Sequence, residues 1–302
     1  WFLSGVAVSE VTSLGCHSDL WEPVSADYSP LARRRGWADR FAPLARAGDA
    51  IGTLRADLAL RTGLSPSVRV HAGLHDSNAA LLSARGHAGI GGQEATVLST
   101  GTWFIAMRSP QGPVDLAALP EARDCLVNVD VDARPVPSSR FMGGREIELL
   151  GERIDIGGTA GLADVLTSGA MVLPSQVAGC GPFPGSVGRW IDRPGHADER
   201  AAAIALYAAL VADTSLDLVG ATGKLLIEGR FAASEVFTRA LAALRPGTKV
   251  FTVGGEADVS FGALRLLDPD LAPQDKLDPV EPLADDLFAY RAEWHDDMET
   301  FL

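Results

Sequence analysis

The chain has 302 residues, 47% hydrophobic and 22% charged, the composition of a folded globular protein long enough for two domains. Its formal net charge of −13 excludes the basic face that nucleic-acid phosphates demand. The single basic triplet, Arg33-Arg34-Arg35, lies in a polar stretch and reads as a solvated run. Cys16, Cys125 and Cys180 are odd in number, widely spaced and without a CxxC pair, which argues for a reducing compartment and against a disulfide framework or a zinc site. The longest apolar run, Ala201–Ala212, stops at Asp213, too short for a bilayer, and no signal peptide is visible. A soluble cytoplasmic protein with no membrane or nucleic-acid partner is expected. The opening Trp1-Phe2-Leu3, with no Met and no polar lead-in, reads as a chain that begins inside a folded element.

In chain order, residues 1–65 are turn-rich with helical pieces such as Pro43–Thr62. Val68–Gly73 alternates like a strand, and the run Asn78–Ala84 behind Asp76 reads as a helix. Ala95–Ser99 and Thr102–Met107 are β-rich around Thr100-Gly101, which predicts a hairpin, and a second hairpin is expected from Cys125–Val131 and Val136–Phe141. Helical pattern follows at Gly144–Arg153, and Gly179–Gly188 is a Gly/Pro loop. Asp198 is placed to cap a helix through Leu218. Then come strand Lys224–Glu228, helix Ser234–Leu244, strand Lys249–Val253, helix Ala257–Leu267 and a tail helix over Leu287–Glu299. Strands alternating with helices predict an α/β fold.

Asp76 stands where a strand gives way to a helix, the place where open α/β sheets present ligands. A carboxylate there can take a proton from a substrate hydroxyl, or it can simply cap the helix; both readings stand on local physics. The turn Ser99-Thr100-Gly101-Thr102 offers hydroxyls and close backbone approach to a phosphate, though taken alone it reads first as a plain hairpin turn. Glu228-Gly229 ends a buried-type strand, either against a nucleotide or as an ordinary strand–helix turn. His17, Asp19 and Trp21 cluster as sugar sites do, and also as structural loops do. Gly223-Lys224 is not a nucleotide P-loop, because Leu218 and Leu225 occupy its Gly and Ser/Thr positions; Gly89–Gly92 lacks the dinucleotide spacing. His71, His75 and His87 lack metal-site spacing, and no metal ligands are assigned.

Taken in order, Gly73-Leu74-His75-Asp76, Leu98–Trp103, Phe141-Met142-Gly143-Gly144, Ile227-Glu228-Gly229 and Glu256–Ala263 resemble the FGGY carbohydrate kinases of the actin-like superfamily. The resemblance covers nearly the whole chain. It implies two RNase H-like domains with a cleft between them, residues 1–94 being the remaining part of the N-terminal sugar-binding domain and 95–302 the C-terminal ATP-binding domain. Asp76 then matches the catalytic base. Ser99, Thr100, Gly101 and Thr102 match the grip on the ATP β- and γ-phosphates, and Gly143, Gly144, Gly229 and Ala233 lie near the adenosine. The segment Glu256–Ala263 matches the family's connection between the two halves, which carries hinge motion. His17, Asp19, Trp21, His75, Asp76 and Asn78 are the expected sugar contacts. ATP with Mg2+ would be the phosphoryl donor and a ketose or related polyol the acceptor; the loop composition resembles the branch acting on deoxyketohexoses. A homodimeric assembly is left open.

Two features depart from the family pattern. The Asp-x-Gly-Thr turn of its first phosphate motif has no N-terminal counterpart here; Asp155-Ile156-Gly157-Gly158-Thr159 mimics it but reads as a loop. Glu228 replaces the first Gly of the adenosine strand, and Ala233 a polar nucleotide contact. A catalytically silent binding relative and an actin-like assembly protein are the rival expectations.

Overall fold

Seven strands, Asp278–Pro279, Lys249–Thr252, Lys224–Gly229, Ala95–Thr100, Phe104–Ser109, Pro135–Phe141 and Cys125–Val129, lie side by side in that order in the largest sheet of the computed structural model. The structure describes residues 1–16, 18–87, 89–151, 156–254 and 259–300. Its contacts divide the chain into two units. One contains Trp1–Gly86, Val127–Val136 and Asp258–Pro273; the other contains His87–Leu126, Pro137–Ala257 and Gln274–Leu302.

In the second unit, Lys224–Gly229 runs parallel to both Ala95–Thr100 and Lys249–Thr252. Its run Leu225-Leu226-Ile227 is buried throughout, as befits a parallel strand covered on both faces. Ala95–Thr100 turns back as the expected hairpin onto Phe104–Ser109, which pairs antiparallel with Pro135–Phe141. Pro279 sits on the outermost strand, where a residue without an N–H is tolerated.

The helix Ala197–Leu218 has 22 residues and a mean hydropathy of 1.5, so by length and composition it could cross a membrane. Instead, 83% of that stretch is buried inside the fold, against Glu235–Leu244, Leu162–Ser168 and Gly143–Gly151. Within it the buried Asp213 pairs with Arg245 at 2.7 Å and Arg291 at 3.0 Å. Desolvation pushes its carboxyl above the usual range, against the pull of the guanidiniums. The helix is entered through His196, with Asp198 in its first turn rather than at the cap. Around Phe104 the rings of Phe141, Phe231 and Phe237 stand 5.0, 5.3 and 5.6 Å away, and the Trp294 indole donates to the Val172 carbonyl at 2.7 Å. The Phe104 cluster thus buries large aromatic area, and the buried Trp294 indole N–H is satisfied, whereas that of Trp21 has no partner among the described residues.

The first unit is built from short pieces. Val11, Leu14, Trp21 and Val129 form a small core. The helix Asp76–Ala84 packs on Val259–Leu267, where Gly262 lets the backbones meet: a Cβ there would lie 1.9 Å from the Ala79 carbonyl oxygen.

Local pattern and tertiary pairing disagree in three places. Pro43–Thr62 is helical only over Ala56–Thr62. Before it, an Arg46–Asp49 turn, closed by the Asp49 carboxylate on the Arg46 N–H at 2.8 Å, sends Ala50–Thr53 into antiparallel pairing with Arg69–His71. The helix Leu162–Ser168 and the hairpin of Met171–Leu173 with Arg189–Ile191 were not expected. Both are held by burial against Ala197–Leu218. Of the Asp155–Thr159 loop, Asp155 lies outside the described residues, and Ile156–Thr159 has no regular structure. Arg153 and, from the Glu256–Ala263 segment, Glu256, Ala257 and Asp258 also lie outside them.

Candidate active site

Asp76 opens the helix Asp76–Ala84 as its first residue, not as its cap. The cap is His75, extended at φ −63°, ψ 144°, whose Nδ1 receives the Ser77 N–H at 3.3 Å. The carboxylate of Asp76 is exposed, and its Oδ1 is crowded with partners. The Ser77 N–H donates to it at 2.6 Å, the Ser77 hydroxyl at 3.3 Å, and His75 Nδ1 stands 3.0 Å away. No described residue bonds Oδ2. The helix-start N–H and the hydroxyl therefore hold the group by one oxygen and leave the other facing outward, the arrangement a proton acceptor needs. The preceding strand belongs to a two-stranded ribbon rather than to the carboxyl edge of an open sheet.

Both ends of this helix are anchored within the first unit. Upstream, the His75 N–H donates to the Thr12 hydroxyl at 2.9 Å. Downstream, Arg85 reaches the buried Asp130 at 3.1 Å, and Asp130 also accepts from Arg134 at 3.0 Å. Asn78 is buried, and both polar atoms of its amide lack a partner among the described residues. Trp21 stands edge-on to Tyr28 in the small core, while Asp19 is exposed in the turn before it, so the ring is not offered as a platform. His17 lies outside the described residues.

In the second unit, parallel pairing puts Gly229 opposite Thr100 at the carboxyl ends of neighbouring strands, where α/β sheets bind ligands. The approach is tight enough that a Cβ on Gly229, at φ +86°, would lie 2.5 Å from the Thr100 carbonyl oxygen. The turn after Thr100 is closed by the Gly101 N–H on the Trp103 carbonyl at 3.0 Å. Onto it drops the start of the helix Gly143–Gly151: a Cβ on Gly144 would lie 2.1 Å from the Gly101 carbonyl oxygen, and one on Gly143 would lie 2.7 Å from the Phe104 ring. Three segments far apart in sequence, all expected to bind nucleotide, therefore converge on one turn.

The hydroxyls of the turn divide by partner. Thr100 is buried, and its hydroxyl donates to the Glu228 carbonyl at 2.6 Å while accepting from the Phe231 N–H at 3.1 Å. Ser99 donates its hydroxyl to the Glu228 carboxylate. Both hydroxyls are committed within the protein, whereas Thr102 is exposed at the tip and Ala233 is exposed in the turn that follows Gly229. Glu228, in place of the family's Gly, thus braces the turn. Sequence reasoning missed Arg140, whose guanidinium lies 5.1 Å from the centre of the Trp103 ring and is fixed by Asp124 at 3.3 Å. No local motif announces it, since the pairing runs across strands. Among the described residues no group of three or more His, Cys, Asp or Glu side chains is placed to hold a metal ion.

Comparison with known proteins supplies the context. The family profile for the C-terminal domain of carbohydrate kinase FGGY matches residues 92–275. Among solved structures, a carbohydrate kinase from Novosphingobium aromaticivorans superposes with a TM-score of 0.94 at 62% identity, over 99% of this chain and 67% of that one. The xylulose kinase from Rhodospirillum rubrum (TM-score 0.72, 17% identity, 99% of this chain and 64% of that one) shares the fold. So does the glycerol kinase from Plasmodium falciparum (0.73, 12%, 100% and 65%). No curated protein gives a significant match. The chain thus spans about two thirds of the length of these structures. Its α/β architecture is the actin-like, RNase H-like fold expected from the sequence. Profile and close relative together settle the family: this chain belongs to the FGGY carbohydrate kinases.

Proposed function

We propose that the chain carries the machinery for ATP-dependent phosphorylation of a sugar hydroxyl, with Asp76 as general base and the turn after Thr100 as the seat of the ATP phosphates. The observation that carries this reading is the convergence of Gly101, Gly144 and Gly229 at the ends of parallel strands. Residues 1–94 are assigned to sugar binding and 95–302 to ATP. Phosphoryl transfer needs positioning and charge neutralisation more than covalent chemistry.

Asp76 contributes through Oδ2, which accepts the proton of the attacking hydroxyl while Oδ1 stays held by Ser77. Asn78 and His75 are the sugar contacts nearest to it in sequence, and the unpartnered amide of Asn78 fits a group whose partner is ligand or water. Toward ATP, the backbone of the Gly101–Trp103 turn and the exposed Thr102 hydroxyl fit the phosphates, and Ala233 and Gly229 fit the nucleoside side. Thr100 acts by holding the turn. Mg2+, bound with the ATP, would neutralise phosphate charge. The acceptor is a ketose or related polyol, in keeping with the xylulose and glycerol kinases among the structural neighbours, and the setting is the cytoplasm.

The test is Asp76→Asn in the intact protein. The variant should fold and bind sugar, with phosphotransfer reduced by about 100-fold or more. Turnover at the wild-type rate would overturn the assignment.

A further inference from the structure

Glu10 and Thr12 lie 64 or more positions before Asp76 in the sequence, yet the Thr12 side chain ends at the residue beside it and the Glu10 side chain ends on Thr12. Glu10 closes the strand Ser9–Glu10, which pairs parallel with Leu44–Ala45, and it caps the four-residue helix Val11–Leu14. Its carboxylate is buried and accepts on both oxygens: Oε1 from the Thr12 N–H at 2.8 Å, and Oε2 from the Thr12 hydroxyl at 2.7 Å, the Ser13 N–H at 3.0 Å and the Ser13 hydroxyl at 3.1 Å.

That arrangement gives the network a direction. A carboxylate of this kind only accepts, so the Thr12 proton is committed to Glu10. The oxygen of Thr12, itself buried, is left to accept, and what it accepts is the His75 N–H at 2.9 Å. His75 is the residue before the helix, so its N–H has no place in the helical ladder of Asp76–Ala84. A cap alone would not require a buried glutamate on so short a helix, since Ser, Thr or Asp serves there.

We propose that Glu10 and Thr12 are positioning residues for the base, setting where the helix begins and therefore where Asp76 presents Oδ2. The proposal rests on Asp76 being the base. Its chemical sense is that a displacement of about 1 Å at a reacting group costs about 100-fold in rate. The opposite end of the helix is held separately by Arg85 on Asp130, so removing the Thr12 bond frees the catalytic end without unseating the helix.

The experiment compares Thr12→Val, Thr12→Ser and Asp76→Asn in the intact protein by steady-state kinetics, with amide hydrogen exchange at His75 in the folded wild type and Thr12→Val. Thr12→Val is expected to lower kcat by about 10-fold or more, with the ATP KM unchanged within about threefold, and to speed exchange at His75. Thr12→Ser, which keeps the acceptor, should restore most of kcat. A folded Thr12→Val with wild-type kcat, alongside an inactive Asp76→Asn, overturns the positioning role and leaves the base assignment standing. Wild-type turnover in Asp76→Asn overturns the base, and this proposal with it. Should Thr12→Val fail to fold, wild-type exchange at His75 decides: an unprotected amide in the folded protein overturns the proposal, and a protected one with active Thr12→Ser supports it.

Discussion

Thr100 Oγ1 donates to the backbone carbonyl of Glu228 at 2.6 Å, a side-chain tie between two parallel strands at the point where the Gly101–Trp103 turn begins. The same oxygen receives the Phe231 N–H at 3.1 Å, so one hydroxyl satisfies a carbonyl and an amide that are both buried from solvent.

Thr100→Val should therefore act on stability first. Loss of both bonds takes a partner from each of two buried backbone groups and should cost about 1 to 3 kcal/mol in denaturant unfolding, while Thr100→Ser stays within about 1 kcal/mol of wild type. If instead Thr100→Val keeps wild-type stability and loses ATP affinity while Thr100→Ser keeps both, the hydroxyl touches phosphate after all.

Gly144 and Gly229 make the next prediction. Added methyl groups would stand 2.1 Å from the Gly101 carbonyl oxygen and 2.5 Å from that of Thr100, and Gly229 also sits at φ +86°. Gly144→Ala and Gly229→Ala must each push the turn out of place. Calorimetric titration should show ATP binding weakened by about 10-fold or more, with sugar binding retained.

Gly262→Ala probes the first unit instead. Its methyl would meet the Ala79 carbonyl oxygen at 1.9 Å, inside the packing of Asp76–Ala84 on Val259–Leu267. The expected outcome is a loss of about 1 to 3 kcal/mol, read as a lower Tm, and faster limited proteolysis within residues 1–86.

The thiols should separate by reactivity. Burial pushes Cys125 up to about 11, and Cys180 rises by the same cause. Only the thiolate attacks, so at pH 8, where about one Cys125 in 1000 is ionised, its reaction is slow and grows as pH climbs toward 11. Mass spectrometry after brief alkylation at pH 8 should find Cys125 unmodified in the native protein and modified once it is denatured.

Much of the site was legible from local chemistry. The helix behind Asp76, the hairpin through Thr100-Gly101 and the strand ending at Gly229 each follow from residue period and turn composition, which act over a few neighbours. Their order along the chain carried the family. Short-range rules misread the rest. Asp198 has the chemistry of a cap and is not one, and Asp76 yields the cap to His75. The stretch before Ala56 goes to strand because Arg69–His71 is there to pair with it.

What the amino-acid order determined by itself was the inventory: a carboxylate at a helix start, a small hydroxyl-bearing turn between apolar strands, and glycines downstream in the family's sequence. Only the tertiary structure decided what each is for. It spends Ser99 and Thr100 on Glu228, brings Gly144 down on Gly101, and ties His75 to Thr12 across 63 residues. A propensity is a property of neighbouring residues. Which buried N–H meets which acceptor is fixed by the packing of segments distant in sequence, because a backbone group enclosed by that packing has no water to turn to and must be met by what packs against it.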